Sequence, residues 1–485
     1  MRINFNPINR FTILVALCLL TIQFALAQKT NAPSAQQIMA KVDEYMNVAV
    51  KFDQFSGSIL VARDGSPVVS KGCGMANYEL NVPNTPQTVF RIASLTKQFT
   101  AMAIMQLQER GKLNVNDPIC KYLEDCPAAW EPITIRHLLT HTSGIANFSS
   151  LPNWDETISL QPYTRAGFVK VFRDLPLQFA PDEKFKYSNS GYYLLGLIIE
   201  RASGKPYPEF LRENIFVPLG MKNSGYNDSR PLVPNRASGY YWSLTSFVNA
   251  PYLNMVSAYS NGGLYSTTED LLLWDKALYT EKLVSRKSLD EIFSPFKDGY
   301  AYGWQIGKKF DRQTTSHSGS VNGFSTFIMR FPSERVTVIV LSNSDRTSAT
   351  KAATNLAAIV FGAPYKLPEP QLFDMLSATI VQKGVEPAVR QYRELKRTQA
   401  DKHDFSEDLL NDLGYALLEN RKLKEAIEIF KLNVEVFPQS ANVYDSLAES
   451  YMVNGDKELA IKNYEKTLEL SPQNPLAVER LKELR

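Results

Sequence analysis

The chain reads as an α+β domain built on an antiparallel sheet, flanked by helices and carrying a helical subdomain, followed by an all-α helical-repeat domain. Three observations predict this. β-rich runs stand at both ends of the first 362 residues with helical periodicity between them, so strands distant in sequence must close one sheet. A proline-rich break follows at 363–370. Beyond it the texture is helical and repeats every 34 residues, as stacked helix pairs do.

Size and composition bound the rest. A chain of 485 residues exceeds one ordinary core of about 100–200 residues. Its 44% hydrophobic and 21% charged residues are those of a packed protein and exclude a disordered one. Fifty-three basic against 50 acidic residues give a net charge of +3, or +1 once Arg2 and Arg10 are removed with the leader. That balance offers nothing to nucleic acid or to an anionic membrane surface.

Arg2 and Arg10 without an acid, an apolar run from Phe11 to Ala27, and Ala25-Leu26-Ala27 before Gln28 make up a signal-peptide pattern. The expectation is a signal peptide over 1–27, cleavage after Ala27, a leader segment at 28–35, and an exported product, periplasmic or secreted. The alternative is an uncleaved anchor, because about 17 apolar residues is near the lower limit for spanning a bilayer. Cys18 lacks the small preceding residue that lipid attachment would want. No later run is apolar enough to span, so no integral span is expected after cleavage.

The first domain is expected over 36–362. Gly57–Val61 and Pro67–Ser70 flank Arg63-Asp64-Gly65 and read as a hairpin. Late strands are expected over 302–306, 323–331 and 335–341, with Pro332-Ser333-Glu334 as the turn between the last two. Three prolines in nine residues from Gly362 to Pro370 can continue neither a helix nor a central strand, so 363–370 is the linker. In the helical region Leu413, Gly414, Ala426, Phe430 and Pro438 recur 34 residues later as Leu447, Ala448, Ala460, Tyr464 and Pro472. This resembles tetratricopeptide repeats, at 407–440 and 441–474. A degenerate repeat at 371–400, marked by Ala388 and Tyr392, and a capping helix at 475–485 complete a domain over 371–485. Its concave face is a place for a protein partner or ligand; otherwise the array only packs on the first domain.

If the chain is exported, Cys73, Cys120 and Cys126 lie where disulfides persist. Cys120 and Cys126 are six apart in a turn-prone stretch, and spacing leaves open whether they bridge. Only four histidines occur, His137, His141, His317 and His403, with no H-E-x-x-H motif, so zinc is not expected, and the chemistry read below needs no metal or organic cofactor. The four-residue spacing of His137 and His141 is read as capping of the turn Thr142-Ser143-Gly144.

A serine hydroxyl needs a neighbouring base, and a lysine one helical turn later supplies it on the same face. Ser94-Leu95-Thr96-Lys97 has that spacing, as do Ser294 with Lys297 and Ser348 with Lys351. Context favours Ser94, which opens an apolar helical run from Phe99 to Leu107, where a desolvated lysine loses its proton more easily. Tyr187-Ser188-Asn189 adds a phenol for proton transfer and an amide to orient Lys97. Its competitors are Tyr45-Met46-Asn47, Tyr252-Leu253-Asn254 and Tyr259-Ser260-Asn261. His317-Ser318-Gly319 is the only H-x-G and leads into the strand expected from Gly323. Tyr240, Tyr241 and Trp242 are read as fold packing before cleft lining.

In this order S-x-x-K, Y-S-N and H-x-G resemble the serine β-lactamase and penicillin-recognising D-Ala-D-Ala peptidase superfamily, on its class C-related branch, over about 40–362. His141-Thr142-Ser143-Gly144, Gly262-Gly263-Leu264-Tyr265-Ser266-Thr267 and Tyr302-Gly303-Trp304 add to the likeness. The resemblance implies a β-lactamase/transpeptidase-like fold and an acyl-enzyme on Ser94. Lys97 and Tyr187 would share the proton work, the choice of base between them staying open. Asn189, His317, Ser318 and Gly319 would hold substrate, and the backbone N–H groups of Ser94 and Ser320 would form the oxyanion hole. Histidine at 317 departs from the lysine-threonine-glycine of β-lactamases and is similar to D-Ala-D-Ala carboxypeptidases and esterase-like relatives. With a pKa near 6.5 a histidine is mostly neutral at pH 7, which leaves β-lactam hydrolysis less secure than acyl transfer. The expected function is therefore a serine hydrolase acting on D-amino-acid peptides, esters or β-lactams. The alternative is a penicillin-recognising sensor or scaffold without turnover, whose repeats bind a partner.

Overall fold

A computed structural model describes residues 33–228 and 230–485. The signal-peptide reading at 1–27, with the leader up to residue 32, lies outside the described residues. Two compact units emerge. The first comprises the described residues up to Tyr240 together with Asn249–Pro368, and the second comprises Tyr241–Val248 with Glu369–Arg485.

In the first unit a six-stranded antiparallel sheet is formed by β1 (Gly57–Arg63), β2 (Ser66–Cys73), β3 (Gln305–Lys309), β4 (Arg312–Val321), β5 (Phe324–Phe331) and β6 (Val336–Ser342), in the order β3-β4-β5-β6-β1-β2. The first and last strands among the described residues are thus neighbours, paired from Gly57↔Ser342 to Arg63↔Val336. Asp64 and Gly65, with φ of 51° and 71°, make the two-residue turn between β1 and β2. Both angles are those of a type I′ hairpin turn, which suits the twist of the strands it joins.

Alternation along β1 sends side chains to opposite faces. Ile59 and Val61 join a core with Val338 and Val340, covered by Ile38, Val42 and Met46 of α1 (Ala35–Lys51). Leu60 and Ala62 join the larger core on the other face, with Ile339 and Leu341. That core takes in α2 (Thr96–Glu109), α3 (Ile135–Leu139), α4 (Asn189–Ser203), the single turn α5 (Tyr259–Gly262) and α6 (Thr268–Ala277). Leu356 and Val360 of α7 (Ala349–Phe361) complete the α1 side.

Two late elements differ from the sequence expectation. The strand expected over 302–306 begins only at Gln305, because Gly303 has φ 77° and turns the chain against α2; a Cβ there would lie 2.8 Å from the Lys97 carbonyl oxygen. His317-Ser318-Gly319, expected ahead of a strand, lies within the ten-residue β4. The turn entering β4 is Phe310-Asp311, with φ of 52° and 58°. Left-handed geometry without glycine leaves no turn signal in the sequence.

The second unit stacks α8 (Leu372–Lys383), α9 (Val385–Thr398), α10 (Glu407–Glu419), α11 (Leu423–Val436), α12 (Ala441–Asn454), α13 (Lys457–Leu470) and α14 (Pro475–Leu484). Ala388, Ala426, Phe430, Ala448, Ala460, Tyr464 and Ala477 are buried between them. A Cβ on Gly414 would strike the Phe430 ring, so a small residue is required where α10 meets α11. Tyr241–Val248, which falls inside the 36–362 stretch, belongs to this unit because Leu244 enters its core and Ser243 Oγ accepts a 2.7 Å hydrogen bond from Asn420 Nδ2.

Cys120 and Cys126 are joined in a disulfide, while Cys73 is free and buried. Among the described residues no helix is long and apolar enough to cross a membrane.

Candidate active site

Ser94 sits in a tight 3-10 turn, Ala93–Leu95, immediately before α2. Ala93 has φ 48°, a left-handed conformation that costs a non-glycine residue about 1 kcal/mol or more and recurs where a backbone is held for function. The turn leaves Ser94 half-buried, at the wall of a cleft of about 170 Å³ that Asn189, Asn261 and Ser320 also line.

In the first turn of α2, Lys97 is fully buried. Its Nζ lies 3.1 Å from Ser94 Oγ and donates to Asn189 Oδ1 (2.8 Å) and the Asn261 carbonyl (2.7 Å). It also lies 4.8 Å from the centre of the Tyr187 ring. Among the described residues no carboxylate is within ion-pair distance of it. Burial therefore holds the amine well below the ordinary lysine range.

Asn189 begins α4, whose N-cap Ser188 accepts from the Gly191 N–H. The amide is held at both ends: Oδ1 accepts from Lys97, and Nδ2 donates to Ser149 Oγ at 3.0 Å. Asn147 Oδ1 accepts the Asn189 backbone N–H at 3.0 Å. The half-buried Tyr187 leads into this cap. Burial pushes its phenol strongly upward, and a hydrogen bond with Ser94 offsets part of that.

Strand β4 forms the facing wall. Its pairing with β3 ends at Gln305↔Ser316, so from His317 to Val321 it is hydrogen-bonded to β5 alone. His317 and Gly319 point inward, while Ser318 and Ser320 are exposed. A Cβ on Gly319 would lie 2.5 Å from the Ile92 carbonyl oxygen and 3.1 Å from the Ser94 nitrogen; only glycine lets the strand come this close to the serine turn. The His317 ring donates from Nδ1 to the Ser318 carbonyl (2.6 Å), which leaves Nε2 to accept from the Tyr300 hydroxyl (2.9 Å). Burial and the Lys97 amine push its pKa down to about 3, so the imidazole is neutral at pH 7.

Ser94, Lys97, Tyr187, Asn189, His317, Gly319 and Ser320 thus converge from α2, the α4 cap and β4. The alternative motifs have other partners. Ser348 caps α7 by accepting from the Lys351 N–H, Ser294 Oγ donates to the Asp290 carbonyl, and Lys297 pairs with Asp182 at 3.5 Å. Tyr45 belongs to the α1 core, and Tyr252 is 61% exposed. Tyr259-Ser260-Asn261 reaches the site through the Asn261 backbone carbonyl. Tyr240 packs edge-on against Tyr78 and is not among the residues lining the serine cleft, while in the second unit Trp242 packs against Phe247.

Sequence reasoning missed His141, Tyr300, Asn147 and Ser149. The His137 ring caps the N-terminus of its own helix and not the Thr142-Ser143-Gly144 turn: its Nδ1 accepts the Thr134 N–H. His141 instead stacks on Tyr187 at 4.3 Å and on Tyr300 at 4.6 Å, with Nδ1 accepting the Ser188 N–H. Its only sequence signal was its place in His141-Thr142-Ser143-Gly144.

The Beta-lactamase family profile matches residues 43–361, and a tetratricopeptide repeat profile matches 441–474. Penicillin-binding protein 4* of Bacillus subtilis (strain 168) is 34% identical over 345 residues, covering 65% of this chain and 74% of that protein. The octameric penicillin-binding protein homologue from Pyrococcus abyssi is 29% identical at a TM-score of 0.60, covering 70% of this chain and 81% of that one. D-amino acid amidase from Ochrobactrum anthropi SV3, 24% identical at a TM-score of 0.58 over 67% of this chain and 98% of its own, shares the fold. The chain belongs to the β-lactamase family, as a serine penicillin-binding protein homologue with a C-terminal tetratricopeptide repeat.

Proposed function

We propose that this protein is an exported serine hydrolase that forms an acyl-enzyme on Ser94 and turns over D-amino-acid peptides or esters, with β-lactams as poorer substrates. The observation that carries the reading is the 3.1 Å contact between Ser94 Oγ and a fully buried Lys97 amine with no acidic partner among the described residues. A neutral amine there takes the proton as Oγ bonds to the substrate carbonyl carbon. The strongly raised phenol of Tyr187 stays protonated and is suited to hand a proton to the leaving group. Lys97 is then the base and Tyr187 the acid, with Asn189 holding the amine in line. Water attacks the acyl-enzyme in the second half, the same groups working in reverse.

Ser94 and Ser320 line one cleft, and their backbone N–H groups are assigned to the oxyanion, each contributing about 3–4 kcal/mol to transition-state stabilisation. The free edge of β4 beyond Ser316 suits an extended peptide lying alongside it. A neutral His317 gives a substrate carboxylate no fixed charge, which is why β-lactams rank below peptides and esters. The Cys120–Cys126 disulfide fits an oxidising compartment.

The test is a panel of p-nitrophenyl esters, D-alanyl peptides and nitrocefin, run with the wild type and Ser94→Ala, alongside fluorophosphonate labelling of both. Turnover and labelling that vanish in Ser94→Ala are expected. Equal labelling of the two proteins removes Ser94 from its role. Ligand binding without turnover of any substrate supports a sensor instead.

A further inference from the structure

Beside the serine cleft lies a second groove of about 390 Å³, lined by Arg91, Arg236, Tyr252, Asn249, Asn322 and Phe324 among others. Leu253 and Asn322 line both the groove and the cleft, so one extended substrate can occupy the two together.

Its two arginines are held on paired backbone. Arg91 lies in the short strand Phe90–Arg91, three residues before Ser94, and pairs with Tyr265. Val89 bridges Arg236 in parallel and bonds to the residues on either side of it. Both arginines line the one groove. Among the described residues neither has a carboxylate within ion-pair distance. Arg236 donates only to Asn227 Oδ1, at 3.0 Å, and Arg91 stands over the Phe324 ring at 5.7 Å without a hydrogen bond to any described residue. Burial and the charge of Arg236 both pull Arg91 below its usual range, whereas the nearby Tyr252 phenol acts the other way.

Arg91 is half-buried while Arg236 is exposed; a partly desolvated guanidinium facing a like charge without a counterion is unfavourable. Planar guanidinium forks are also the side chains best matched to a carboxylate. We infer that the groove is an anion subsite in which Arg91 and Arg236, with the Tyr252 hydroxyl, bind a carboxylate on the substrate away from its reacting carbonyl. The subsite rests on the hydrolase reading and narrows its substrate class to acidic acyl donors. It supplies the positive charge that the neutral His317 lacks.

Two ester series test this. One is p-nitrophenyl monoesters of succinate, glutarate, adipate and suberate, each against its methyl-capped neutral twin. The other carries the carboxylate on a phenolic leaving group, again against the methyl ester. The wild type is expected to prefer at least one acid over its twin by about tenfold or more in kcat/KM, a preference that shrinks with added salt. Arg91→Gln/Arg236→Gln should lose about tenfold more on the acid than on the twin, and Arg91→Lys should restore part of the difference. Binding is read separately in Ser94→Ala by saturation-transfer NMR with adipate monoamide, where a signal abolished by the double arginine substitution is expected. Ester turnover that depends on Ser94 but shows no charge preference in either series, or a preference that survives the double substitution, overturns the subsite and leaves the hydrolase reading standing. Where no ester is turned over, an adipate monoamide signal absent from Ser94→Ala, or unaltered by the arginine substitutions, overturns it equally.

Discussion

Gly319 on β4 faces the Ile92 carbonyl so closely that a Cβ would lie 2.5 Å from that oxygen, two residues ahead of Ser94. The strand and the serine turn therefore share one fixed spacing, which sets the distance between the Ser94 and Ser320 N–H groups. Gly319→Ala must push the two apart. A stability loss of about 1–3 kcal/mol is expected from overpacking, with a fall in kcat/KM of about 10²-fold or more as one oxyanion donor moves out of reach. Thermal unfolding and ester kinetics on the same sample read the two effects, and full activity in Gly319→Ala would mean that the spacing does not matter.

His317 links the site to acid stability. Its pKa is about 3 in the folded protein against about 6.5 in the unfolded chain. Between those values the unfolded state binds the extra proton, so stability rises with pH, is fully present above about 6.5, and is lost as pH falls toward 3. The limiting slope is about 1.4 kcal/mol per pH unit. The neighbours facing the ring are Lys97, Tyr187 and Tyr300. His141, also held low by burial, titrates in the same sense. His317→Gln should remove part of the climb measured by urea unfolding from pH 4 to 7 and leave the share due to His141. An unchanged slope would show that the ring is not buried neutral.

What could be read without coordinates was local. The serine-lysine spacing, the hairpin at Asp64-Gly65 and the 34-residue period of the repeats each lie within one element or recur along the chain, so pattern alone displays them. The Ser348–Lys351 pair has the same spacing as Ser94–Lys97 and differs only in what surrounds it; an apolar run after the serine was the usable sign. What escaped depended on contacts across the chain. His141 looks like a cap because its stacking partners Tyr187 and Tyr300 are 46 and 159 residues away. Strand β4 escaped because a glycine-free turn precedes a run rich in serine and threonine. Leu244 lies in the two-residue turn of a short hairpin, and nothing around it announces burial among helices.

His141 itself is open to test. It occupies a left-handed backbone position with φ 56°, its Nδ1 accepts the Ser188 N–H, and its ring stacks on Tyr187. His141→Ala strands a buried N–H, at a cost of about 1–3 kcal/mol, and removes the surface that holds the phenol. His141→Asn keeps a residue tolerant of the left-handed backbone and should recover part of the stability but not the stacking. Both variants are expected to lower kcat, since Tyr187 loses its support. An Asn variant with wild-type kcat would separate the ring from catalysis.

Asn189 tunes the amine it touches. Its Oδ1 accepts from Lys97 Nζ at 2.8 Å, and an amide orients the amine without adding charge. Asn189→Asp places a carboxylate at that distance and raises the Lys97 pKa, since a nearby opposite charge favours the ammonium. The acid limb of the kcat/KM profile should move to higher pH, with activity at pH 7 lower than in the wild type. Asn189→Ala should lower the rate without that shift. An identical acid limb in Asn189→Asp would mean that Lys97 is not the group whose deprotonation the profile reports.

Lys97 ties activity and stability to one proton. Burial lowers its pKa in the folded state, while the unfolded chain titrates near 10.4. Between the two the unfolded state carries one more proton, so this group makes stability rise with pH up to about 10.4. Activity needs the same neutral amine and rises through the lowered folded pKa, and the raised Tyr187 phenol delays any alkaline fall beyond the ordinary tyrosine value of about 10. Lys97→Met should cost about 10²–10⁴-fold in kcat/KM and flatten the lysine share of the stability profile. The loss of a donor to the Asn261 carbonyl is opposed by the removal of a desolvated amine, which keeps the two melting curves close near neutral pH. Because the same proton governs both measurements, a variant that keeps the wild-type stability slope while losing activity would assign the slope to another group, and one that keeps activity would remove Lys97 as the base.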